Sequence, residues 1–137
     1  MKKISILLVT VLLLLVGCAK ENIETLSYKD LNKKLENKES FVLYLDDDSD
    51  NLLSSTLNSV LEENNLNGFK LKVNKLSDKE KDELKLVVDY TKAPSIAFII
   101  EGRDPSVLAH VTYEYSTKDT IVNHLKDLGF IKEKTSE

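Results

Sequence analysis

Few side chains in this chain are of types that do chemistry. Cysteine occurs once, at Cys18, and a lone cysteine makes neither an internal disulfide nor a Cys-rich zinc site. The two histidines, His110 and His124, have no Cys, His or carboxylate at metal-ligand spacing and read as ordinary polar surface residues. The densest cluster is acidic: Asp46, Asp47, Asp48 and Asp50, with Ser49 among them. Asp46-x-Asp48-x-Asp50 copies the first three ligand positions of a calcium loop. The sixth position, however, is Asn51 rather than Gly, and the twelfth is Leu57 rather than Glu. The cluster reads better as an acidic loop at a helix start, where negative charge suits the macrodipole. Four crowded carboxylates repel one another unless they are solvated, opposed by cations or put to use, so a cationic partner surface or peptide is an expected use. Ser49 has no His or Lys near it in sequence to activate its hydroxyl. No carboxylates are paired at a distinctive spacing. No catalytic residue and no metal ligand is assigned.

The single cysteine gains meaning from what precedes it. Lys2 and Lys3 form a positive start, and Ile4 to Val16 is an apolar run of 13 residues. A spanning helix needs about 20 residues, whereas a signal-peptide core needs about 7–15. The run ends at Leu15-Val16-Gly17-Cys18, which resembles the lipobox of bacterial lipoproteins. That resemblance implies cleavage before Cys18 and a diacylglyceryl group on its thiol, with or without an N-acyl chain. No other cofactor is implied. Residues 1–17 are then a signal peptide, and the mature chain has 120 residues. Two acyl chains suffice for stable anchoring, and the expected location is the outer face of the bacterial cytoplasmic membrane. Without Lys2 and Lys3 the balance is 17 basic against 23 acidic residues, a net of −6. The anchor is therefore the lipid rather than charge attraction to anionic headgroups. The acidic balance also argues against nucleic acid as a partner.

The elements that must carry these residues follow from periodicity. Residues 18–25 read as a lipidated cysteine and short polar tether, 26–132 as one domain, and 133–137 as a tail. Ser27 caps a first helix with Asp30 at its third position, and Leu31 and Leu35 form its stripe. Phe41-Val42-Leu43-Tyr44-Leu45 is an unbroken apolar run that suits a strand buried on both faces. The acidic loop follows, then a helix with Leu53, Leu57, Val60 and Leu61, stopped at Asn67-Gly68. Phe69, Leu71 and Val73 alternate with polar residues as a second strand. Ser77-x-x-Glu80 is a capping box, and its helix carries Leu84, Val87, Val88 and Tyr90. Ala93-Pro94 opens a third strand over Ser95 to Ile100. After a turn at Glu101 to Pro105, a fourth strand sets Val107, Ala109, Val111, Tyr113 and Tyr115 on one face. Ser116 caps a last helix with Ile121, Val122, Leu125 and Leu128, closed by Gly129. The helix between the first two strands makes them parallel; the short turn makes the last two antiparallel. The fold class is α/β: a mixed four-stranded sheet flanked by helices, with an extra N-terminal helix.

This order resembles the thioredoxin-like superfamily over about Ser40 to Phe130. The carriers are the buried strand leading into a loop and helix, and Ala93-Pro94 before an apolar strand. The resemblance implies a cis Pro94 facing the loop that bears the active site in redox members; without it, a trans proline at a strand start fits equally. In those members a Cys-x-x-Cys occupies the loop, whereas this chain has Asp46-Asp47-Asp48-Ser49-Asp50-Asn51. Disulfide exchange needs an activated thiolate and a resolving thiol, so no redox activity is expected. More loosely, the chain is similar to bacteriocin-transport accessory proteins and other thioredoxin-like lipoproteins of Gram-positive bacteria.

The expected function is thus a lipid-tethered, non-enzymatic binding or accessory module serving a secretion, bacteriocin or immunity system. Its partner groove would comprise Asp46, Asp47, Asp48, Ser49, Asp50, Ala93 and Pro94. A second reading is an ion-binding or structural envelope lipoprotein keyed on Asp46 to Asp50; a third is an enzyme of non-redox chemistry.

Overall fold

The computed structural model describes residues 21–49, 52–88, 91, 93–103, 110–112 and 117–132, with the backbone alone at 110–112. Its elements are β1 (Ile23–Thr25), α1 (Tyr28–Glu36), β2 (Phe41–Asp46), α2 (Leu52–Glu63), β3 (Gly68–Lys72), a 3-10 turn (Val73–Lys75), α3 (Asp78–Lys85), β4 (Ser95–Ile99), β5 (His110–Thr112) and α4 (Lys118–Asp127). All six residues of β2 are buried, as an apolar run with no polar alternation requires of a central strand. The sheet order is β1-β3-β2-β4-β5. β1 and β2 run parallel to β3, while β4 runs antiparallel to both β2 and β5. This is an α/β, thioredoxin-like arrangement with helices on both faces.

Side-chain alternation divides the core in two. Val42, Tyr44, Ile96 and Phe98 face Leu53, Leu57 and Leu61 of α2 and Ile121 and Leu125 of α4. Leu43, Leu45, Ala97 and Ile99 face Leu31 of α1, Leu84 of α3 and Val88 beyond it. The helix ends are set locally. Ser27 accepts from the Asp30 N–H at 3.1 Å. Ser77 and Glu80 form a reciprocal capping box, at 3.2 and 2.8 Å. α4 closes in a Schellman motif: Phe130 N–H donates to the Leu125 carbonyl and Gly129 N–H to that of Lys126, with Gly129 at φ +83°.

Several details differ from the sequence expectation. The four expected strands are joined by a fifth, β1, formed by the last three residues of the expected tether; Ile23, Glu24 and Thr25 pair with Gly68, Phe69 and Lys70. Only one of its residues, Ile23, is apolar and buried, so no alternation announces it. α2 ends at Glu63, ahead of Asn67-Gly68, with Asn65 at φ +54° just beyond its end. The cap of α4 is Thr117, which accepts from the Thr120 N–H at 3.2 Å, rather than Ser116. Val87 does not join the buried stripe; it stays 36% exposed beside buried Val88. Tyr90, Tyr113, Tyr115 and the 133–137 tail lie outside the described residues.

Candidate functional site

The site begins where β2 runs out. Its last residue, Asp46, is only 8% exposed, and its carboxylate accepts the Asp48 N–H at 2.8 Å. Asp47 repeats the arrangement one step on: its carboxylate accepts the Ser49 N–H at 3.0 Å and the Ser49 hydroxyl. These are Asx turns, in which a short acidic side chain stands in for the next backbone acceptor. Asp48 takes the left-handed φ of +63° that the double turn requires, a conformation Asp tolerates better than most residues. Its side chain and that of Ser49 are exposed. The repulsion expected within the cluster is thus relieved by turning two carboxylates onto backbone donors and leaving Asp48 in water. A bond from 27 residues away fixes the loop to the fold: Asn74 Nδ2, in the 3-10 turn, donates to the Asp47 carbonyl at 2.7 Å.

The sheet register aligns the two expected halves of the groove. Leu45 pairs with Ser95, so one further antiparallel step sets Asp46 level with Pro94. The Ala93–Pro94 bond is cis. Leu52, the first residue of α2, follows the loop and is 58% exposed. Leu86, on the approach from α3 to β4, is 88% exposed. Leu52 thus offers an apolar side chain to solvent directly after the acidic loop. Sequence reading missed both leucines. Leu52 precedes the buried Leu53 and so sits off the helical stripe, which was the available signal. Leu86 sits next to the buried pair Leu84 and Val88 in the same way.

An open cleft of about 430 Å3 is lined by Leu26, Tyr28, Leu71, Lys72, Lys75 and Glu80. Lys72, at the end of β3, is paired in register with Asp46. Tyr28 donates its phenolic hydrogen to Glu83 at 2.9 Å. Burial, reinforced by that bond and by the charges of Glu83 and Glu80, pushes its pKa from 10.0 up to about 12.

Among the described residues one buried side-chain polar atom has no partner: Ser95 Oγ, on a fully buried residue directly after Pro94. Its side chain shares the face of Ala97 and Ile99, away from Asp46. His124 is not a free surface group. It stacks on Phe98, with centroids 5.5 Å apart, and its Nδ1 lies 2.9 Å from the Thr120 carbonyl. Among the described residues no three His, Cys, Asp or Glu side chains converge to hold a metal ion, and no helix is long and apolar enough to cross a membrane. Cys18, with Leu15, Val16 and Gly17, and Asp50 lie outside the described residues. No protein-family model matches the chain, and no curated protein matches it.

Proposed function

We propose that this chain is a lipid-anchored extracytoplasmic lipoprotein whose thioredoxin-like domain binds a protein partner and performs no redox chemistry. The observation that carries the reading is the segment joining β2 to α2. Where redox members of this fold keep their thiols, this chain has acids and no cysteine, yet the segment still lies level with a cis proline. Exposed Leu52 at the same end supplies an apolar contact beside the acids. The chemistry suits a partner segment that pairs a Lys or Arg with an apolar side chain. Asp46 and Asp47 already serve the loop's own backbone, which favours a protein partner over an ion held by the whole cluster. The resemblance to bacteriocin-transport accessory proteins points to a secretion, bacteriocin or immunity system as the setting.

The test is recovery of the partner from living cells by wild type and by an Asp48→Asn/Leu52→Ser double variant. Both substitutions fall on exposed side chains, and Asn tolerates the left-handed φ at position 48 as Asp does, so the melting temperature should be nearly unchanged. Loss of the partner with the fold intact is the expected result. Equal recovery by both forms would contradict the reading.

A further inference from the structure

The fold fixes where an anchor on Cys18 would attach, and this orients the domain. Asn22 is tied firmly into the fold. Its N–H donates to Asn58 Oδ1 at 2.8 Å, its Nδ2 to the Leu66 carbonyl at 3.0 Å, and its own carbonyl accepts the Gly68 N–H at 2.7 Å. Ile23, the next residue, is buried and paired with Gly68. Only Ala19, Lys20 and Glu21 separate Cys18 from this point, so even a fully extended chain spans no more than about 14 Å. The tether expected over residues 18–25 is therefore about half as long as it reads, because β1 takes up its far end.

The attachment point lies at one pole of the sheet. β1, β2 and β3 run parallel and all start there; β4 ends there, with Ile99 level with Phe41. The opposite pole holds the end of β2 and the acidic loop. The six residues of β2 separate the poles by roughly 20 Å. We propose that the lipid anchor holds the strand-start pole against the bilayer and turns the acidic-loop pole outward, away from the lipid. The inference rests on the lipoprotein reading above.

Charge does not choose between the poles: the strand-start pole exposes Lys38 and Arg103 beside Glu39, Glu62, Glu63 and Glu101, two cations against four anions, so it too is mildly repelled by anionic headgroups and the short tether must hold it there. The acidic loop would be repelled by them within a Debye length of about 8 Å. The short tether therefore sets the orientation, and it is the one that leaves the partner surface open to proteins outside the cell membrane.

With Cys18 lipidated, an introduced cysteine is the sole free thiol, so each pole can be labelled separately in the full lipidated protein. Asn67→Cys reports the strand-start pole and Lys75→Cys the acidic-loop pole. Each is given a fluorophore and inserted into phosphatidylglycerol/phosphatidylethanolamine vesicles carrying a nitroxide headgroup quencher. The expected result is several-fold stronger quenching at position 67 than at 75. A Gly/Ser spacer of about 20 residues after Lys20, reaching roughly 25 Å, should abolish the difference. Equal or reversed quenching on protein whose N-terminal peptide carries the lipid mass would overturn the orientation alone. A difference that survives the spacer would overturn the tether as its cause. An unmodified Cys18 would remove the lipoprotein reading and the orientation with it.

Discussion

The two poles of the sheet are built by different means. At the strand-start pole, hydrogen bonds reach across the chain: Asn22 to Asn58, Asn22 to Leu66, and Glu101 to Ser40, spanning 36, 44 and 61 residues. Backbones also approach closely there. Gly102 N–H donates to the Glu39 carbonyl at 2.9 Å, and a Cβ on Gly102 would lie 2.3 Å from the Leu35 carbonyl oxygen. At the acidic-loop pole the carboxylate bonds span two residues, with Asn74 supplying a longer tie. Leu52 is left in water, and among the described residues the buried Ser95 hydroxyl is left without a partner. Long-range closure makes a pole hard to alter; local turns make it easy. A protein that places its variable loop on a rigid scaffold would divide its two ends in this way.

The sharpest way to break this contrast is Gly102→Ala. Gly102 sits at φ +76° with no room for a side chain, so the variant should lose about 3 kcal/mol or more of stability. A loss under 1 kcal/mol in denaturant unfolding would show that the pole is looser than described. Next is Asn58→Ala, which strands the Asn22 N–H at the root of β1. Unfolding should become easier by about 1–2 kcal/mol, with faster amide exchange at Ile23 to Thr25. The loop pole should behave oppositely. Ser95→Ala removes a buried hydroxyl that has no partner, so stability should stay level or rise by up to about 1 kcal/mol; a clear loss would reveal a bond to Ser95 in solution.

Smallest is the alkaline response of the cleft beside the loop. The Tyr28 phenol holds its proton more tightly in the folded chain than in the unfolded one. Its contribution is therefore complete below pH 10 and is lost as the pH rises toward about 12. A Tyr28→Phe variant should show a shallower decline of melting temperature across that window, and superimposable curves would remove Tyr28 as a cause.

Much of the scaffold was legible in the residues because its signals are long or chemically distinctive. Phe41 to Leu45 could only be a buried strand, and Ser77-x-x-Glu80 could hardly be other than a capping box. β1 was not legible: three residues with one buried apolar side chain carry no period, and it is β3's free edge that makes them a strand. At the site, the acidic loop and Pro94 could be placed at one end of the sheet by element order. What the carboxylates do there could not, since Asx turns depend on backbone angles that sequence does not print. Leu52 and Leu86 carry no periodic signal, since each sits one or two residues off the buried stripe.

The central claim is that partner contact belongs to the acidic-loop pole. It is tested most directly by placing a photo-crosslinking amino acid, in living cells, at Asp48 and Leu52 on one pole and at Glu39 and Asn67 on the other. The account predicts one recurrent protein adduct from positions 48 and 52 and none from 39 and 67. The same adduct from the strand-start pole, with 48 and 52 silent, would contradict it.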